Sequence, residues 1–66
     1  MKSIVTDRIY DPLEMIYISN PIQTSLYMEK GATLYDVLAD NKTLTFVFSK
    51  NETYELYHQW KKRELG

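Results

Sequence analysis

The stretch NPIQTSLYMEKG, residues 20–31, carries both ends of a helix and leaves room for fewer than about three turns between them. Asn20 can cap, Pro21 suits the first helical position, and Gln23 can reach back to the Asn20 amide. Gly31 suits the left-handed position that closes a helix. A helix over 21–30 is too short to persist alone in water, so it forms only if the rest of the chain packs against it. The remaining residues must supply that surface.

A second, longer helix is written in FSKNETYELYHQWKKREL, residues 48–65. Ser49 caps it and Glu52 completes a capping box. On a helical wheel Thr53, Leu56, Tyr57, Trp60 and Glu64 share one face, widened by Tyr54 and Leu65. Asn51, Glu52, Glu55, His58, Gln59, Lys62 and Arg63 fill the opposite arc. Lys61, Lys62 and Arg63 fall in the last turns, where cations favour the helix dipole.

Two strands are expected between the helices. TLYDVLA (33–39) and TLTFVFS (43–49) are rich in β-branched and aromatic residues, and Asp40-Asn41-Lys42 makes the turn. Leu44, Phe46 and Phe48 alternate with Thr43, Thr45 and Val47, and the first set should face the helices. Tyr35 and Val37 are the expected inward pair on the partner strand, with Leu34 and Leu38 leaving the register open. A lone hairpin under two helices is marginal, so EMIYIS (14–19) is expected as a third strand. SIVTDRIY (3–10) either forms a fourth strand, after a turn at Asp11-Pro12, or adds to the sheet edge of a neighbouring chain and makes a dimer.

Together these elements predict a small α+β domain of order (β)-β-α-β-β-α, with two helices on one face of an antiparallel sheet. Residues 1–13 form an N-terminal arm or edge strand and 14–66 the domain. The expected core joins Leu56, Tyr57 and Trp60 to Phe46 and Phe48, with Ile22, Leu26 and Tyr27 from the first helix.

A chain of 66 residues buries only about 60% of its unfolded surface, which leaves a thin stability margin. With 44% hydrophobic and 14% aromatic residues, six of them Tyr, it is nonetheless an ordered chain. It has no cysteine, so neither disulfides nor thiolate metal sites staple the fold, and a reducing compartment suits it. Asp7 and Arg8 interrupt the opening apolar residues, which therefore do not read as a signal peptide. No stretch approaches the roughly 20 apolar residues of a membrane span. The expectation is a cytoplasmic protein with no membrane association. A formal net charge of −1 argues against a general nucleic-acid coat.

Residues 20–65 resemble a family of short, uncharacterised proteins from phages and mobile elements of Gram-positive bacteria. The likeness lies in Asn20, Pro21, Gln23, Tyr27 and Gly31, then Phe46-Val47-Phe48, Lys50, Thr53, Leu56-Tyr57, Trp60 and Glu64-Leu65. Family members often carry a proline shortly after the glycine, where this chain has Leu34, and residues 1–13 depart from the pattern. The resemblance implies a phage or prophage origin and a small inhibitor or modulator of a host factor.

Catalysis is not expected. His58 is the single imidazole, on the polar arc of its helix, and no cysteine accompanies it. Metal-ligand spacing is missing, and the two glycines, at 31 and 66, make no phosphate-cradling loop. No cofactor is implied. Met28, pointing away from the buried arc of the first helix, forms with Tyr54 and Tyr17 a candidate protein-binding set, because exposed Met and Tyr are the composition of recognition surfaces. Lys61, Lys62 and Arg63, near Trp60 and Tyr57, are a candidate nucleic-acid contact, cations on phosphate beside a stacking platform. Asp7, Asp11, Glu14, Asp36 and Asp40 could instead present an acidic face to a basic partner, although an ordinary solvated surface explains them as well. Three functions follow: a protein-binding module aimed at a host factor, a nucleic-acid-binding accessory protein, or a self-assembling structural protein built through residues 3–18.

Overall fold

A computed structural model describes residues 1–63. It contains a three-stranded antiparallel sheet and two α-helices: β1 (Met15–Ile18), α1 (Pro21–Glu29), β2 (Asp36–Asp40), β3 (Thr43–Ser49) and α2 (Lys50–Lys61), with a short 3-10 turn over Pro12–Glu14. Strand order is β1-β3-β2, so the longest strand is central and β1 is an edge. Glu64 and Leu65, assigned above to the face of the second helix, lie outside the described residues.

Each boundary has a local cause. The Asn20 side chain accepts from the Ile22 and Gln23 amides, and Pro21 follows as the first helical residue. Gly31, at φ 95°, closes the helix. Gln23 does not complete a capping box; its amide donates to the Tyr27 hydroxyl at 2.9 Å, one turn along. Asn41 and Lys42 both have positive φ, 45° and 71°, which is the backbone of a tight two-residue hairpin turn. Ser49 stands at the start of α2 but its side chain makes no capping bond. The expected box with Glu52 is absent because that carboxylate takes two donors elsewhere, the Thr33 amide and hydroxyl in the loop after α1. Instead Thr53, fully buried, donates its hydroxyl to the Ser49 carbonyl at 2.7 Å.

The sheet is covered on both faces. On the helix side, Ile18, Tyr27 and Phe48 are buried together, with Ile16, Leu26, Phe46, Leu56 and Trp60 half-buried around them. The Tyr27 and Phe48 rings meet edge-to-face, 5.6 Å between centroids and 68° between planes. Such a pair adds about 0.5–1.5 kcal/mol to the area it buries. Ile22 and Tyr57, expected in this core, are 65% and 44% exposed. The buried stripe of α2 runs through Thr53, Leu56 and Trp60, and Tyr57 stands on its flank, beyond the edge at β1 where the sheet stops. Ile22 lies in the first turn of α1, ahead of the point at which Leu26 and Tyr27 reach the sheet.

On the opposite face Tyr10, Met15 and Val47 form a second buried cluster with Tyr35 against it. Alternation placed Val47 on the face away from the helices, where it lies; Tyr35, expected on the helix side, belongs here too. Asp36 is the register partner of Val47, yet the Tyr35 amide donates to the Val47 carbonyl, so two residues oppose one and the strand bulges where it begins. Val37, paired with Phe46, keeps the helix-facing side.

Residues 3–10 are not a fourth strand. They form a tight loop closed by Ser3 N–H to the Arg8 carbonyl, a single Lys2–Ile9 bridge, and Tyr10 N–H to the Met1 carbonyl. This loop lies on its own sheet. Its anchor is Asp36, whose carboxylate accepts from the Ser3 and Tyr10 hydroxyls, both at 2.6 Å. Thr6 and Arg8 add bonds to the carbonyls of Tyr35 and Leu34.

Candidate functional site

Of the two sheet edges, β1 and β2, the outer edge of β1 is the one with a helix running beside it. Ser49 pairs with Met15, so α2 begins where β1 begins. From there Lys50 donates to the Leu13 carbonyl at 3.2 Å, just before the strand, while Tyr57 reaches the residues just after it. Two adjoining clefts open along this line. One, about 320 Å³, is lined by Ile16 to Asn20, Gln23 and Tyr57. The other, about 240 Å³, is lined by Ile16, Lys50, Thr53, Tyr54, Tyr57 and His58. Ile16 and Tyr57 belong to both, which makes a single apolar trough.

The wall of the trough follows helical spacing. Tyr54, Tyr57, His58 and Lys61 fall on one exposed stripe of α2. Their rings stack edge-to-face, Tyr54 to His58 at 4.6 Å and Tyr57 to His58 at 5.9 Å, and the Lys61 ammonium sits 5.5 Å over the Tyr57 ring. Lys61 on Tyr57 is a cation–π contact, exposed and therefore worth about 0.5–1 kcal/mol. The stripe is thereby held as a preformed wall.

The structure does not unite the expected binding set. Tyr54 lines the trough with Tyr57, which the sequence reading had assigned to the core, but Tyr17 borders it only through its backbone: paired with Val47, it turns its ring to the opposite face, where its hydroxyl donates to the Pro12 carbonyl at 3.2 Å. Met28 is exposed on α1 and lines neither half. Of the basic trio, Lys61 caps Tyr57, whereas Lys62 lines a separate shallow groove with Glu55, His58 and Gln59. Arg63 follows the helix at φ 59°. The acidic face is not assembled: Asp36 is buried in the back-face network and Asp7 pairs with Lys2 at 3.0 Å. Hydrogen bonding holds Asp36 below the usual carboxylate range, the Ser3 bond contributing most and the Tyr10 bond next. These are the marks of a structural group, far from the trough.

Among the described residues no group of three or more His, Cys, Asp or Glu side chains gathers as a metal site would require. No described helix is long and apolar enough to cross a membrane.

Comparison with known proteins finds no family model, no curated protein and no solved structure that matches the chain.

Proposed function

We propose that this chain is a small non-enzymatic binding module that engages a protein partner through the trough between β1 and α2. The observation that carries the reading is the exposed aromatic stripe of Tyr54 and Tyr57 beside an unpaired strand edge. Solvent-facing aromatics in a preformed apolar cleft are what interface centres are made of, since they bury large area at small entropic cost. The phage-like sequence pattern supports a partner in a bacterial host, which the module inhibits or modulates, and hence a cytoplasmic site of action.

Capture from host lysate, nuclease-treated and identified by mass spectrometry, tests this against a Tyr54→Ser/Tyr57→Ser variant. Both side chains are largely exposed, so the variant should stay folded with a melting temperature lowered by only a few degrees, which a thermal melt checks. The reading requires a protein retained by the native chain and lost by the variant. Equal retention by both, or none by either, contradicts it.

The ammonium of Lys61 over Tyr57, with Lys62 and Arg63 next in the sequence, favours a second reading as a nucleic-acid accessory protein. A salt-dependent gel shift of labelled single-stranded DNA, abolished in Lys61→Glu, would put this second reading first.

A further inference from the structure

We propose that the occupant of the trough is an extended acidic peptide segment of about five residues, added to β1 as a further strand. This rests on the binding-module reading and names the chemistry of its partner. Backbone parity comes first. The Val47 carbonyl accepts from Tyr35 on the β2 side. Directions alternate along a strand, so Phe46 and Phe48 turn their amides and carbonyls to β1 and bond Ile18 and Ile16, their register partners. Met15 and Tyr17 must then point outward. The Met15 amide agrees, because it donates to the Pro12 carbonyl and not to β3. Tyr17 is left presenting a donor and an acceptor side by side at the sheet edge, with the Met15 carbonyl one rung away.

Charge and length narrow the occupant. Among the described residues lining the two halves of the trough there is no Asp or Glu. Lys50 stands at one end and Lys61 at the other. The carboxylates of α2 face elsewhere, Glu52 onto Thr33 and Glu55 into other grooves, and Glu14 lines neither half. Eleven helical steps separate the two lysines, about 16 Å, which about five extended residues span. An apolar side chain at the centre of such a segment would rest on Ile16 against Tyr57, with acidic residues toward both ends. A second copy of this chain fits worse, since two troughs edge to edge oppose lysines to lysines. Nucleic acid fits worse too, because phosphates cannot donate to the free carbonyls of Met15 and Tyr17.

The test pans an mRNA-displayed library of random heptapeptides on the full chain. Expected are enriched peptides with Asp or Glu flanking a β-branched or aromatic centre. Methylating the central backbone nitrogens of the best peptide should weaken its binding, read by fluorescence anisotropy, at least about tenfold. In Lys50→Glu/Lys61→Glu, checked by thermal melt for folding, selection should turn to basic peptides. Enrichment of basic or uncharged peptides on the native chain, no enrichment, indifference to N-methylation, or dimerisation in sedimentation would each overturn the proposal. Should panning fail while lysate capture still depends on Tyr54 and Tyr57, the strand-addition idea falls and the binding-module reading stands.

Discussion

Asp36 and Tyr10 form one hydrogen bond whose two ends titrate in opposite directions. The bond to Asp36 and, after it, burial push the Tyr10 phenol up from 10.0 to about 12. A proton held more tightly in the fold than in the unfolded chain stabilises the fold fully below the unfolded value, so this contribution is lost between about pH 10 and pH 12. Asp36 is the mirror case: its lowered value stabilises the fold above the ordinary carboxylate range and fails as pH falls through it. Asp36→Asn should lower stability at neutral pH by about 1–3 kcal/mol and remove this acid dependence. Denaturant melts across pH check both; an unchanged profile would mean the loop is not held by this carboxylate. Thr24 makes the opposite prediction. Its hydroxyl oxygen is buried without a partner among the described residues, so Thr24→Val, similar in shape, should raise stability by about 1 kcal/mol. A lower midpoint in the same melt would show that the hydroxyl is satisfied after all.

At the scale of elements, the two helix starts look alike in sequence and differ in physics. The Asn20 side chain accepts two amide hydrogens, whereas the Ser49 side chain caps nothing. Asn20→Ala should therefore cost about 1 kcal/mol and Ser49→Ala only about 0.3 kcal/mol. Equal midpoint shifts in urea would refute the distinction. Where sequence analysis succeeded, the signal was local: the Asn-Pro start and glycine stop of α1, the alternation of β3, the tight turn before it. It failed on Glu52 because a capping box presumes that the glutamate has no better donors, and Thr33, nineteen residues away, is invisible to a local motif. Tyr57 was misplaced for a related reason. A helical wheel gives angles and not the width of the sheet below, and here the sheet ends at β1.

For the whole molecule, the sequence reading put the weight on Trp60; the structure puts it on the Tyr27–Phe48 pair, with Trp60 half-buried at the rim. A domain of this length has about 3–10 kcal/mol in hand. Phe48→Ala, at about 3–5 kcal/mol, removes much of that margin and should lower the urea midpoint the further. Trp60→Ala, at about 1–3 kcal/mol, should lower it less. The reverse order would restore the indole as the keystone. The back-face cluster had no sequence signature, since Ser3 and Tyr10 find Asp36 across separations of 33 and 26 residues. Hydroxyl–carboxylate partners carry no periodicity. The trough was half legible: Tyr54 stood out as a surplus tyrosine, whereas Tyr17 reaches the strand edge by its backbone and turns its ring to the other face. The trough's use rests on the outer edge of β1 being unpaired beside α2, while the loop of residues 3–10 is held on the back face of the sheet. Amide hydrogen exchange of the free protein, read residue by residue by NMR, tests that claim most directly. The account predicts slow exchange at Ser3, Tyr10 and Phe48 and fast exchange at Tyr17. Protection at Tyr17, or Ser3 and Tyr10 exchanging as in an unfolded chain, would contradict it.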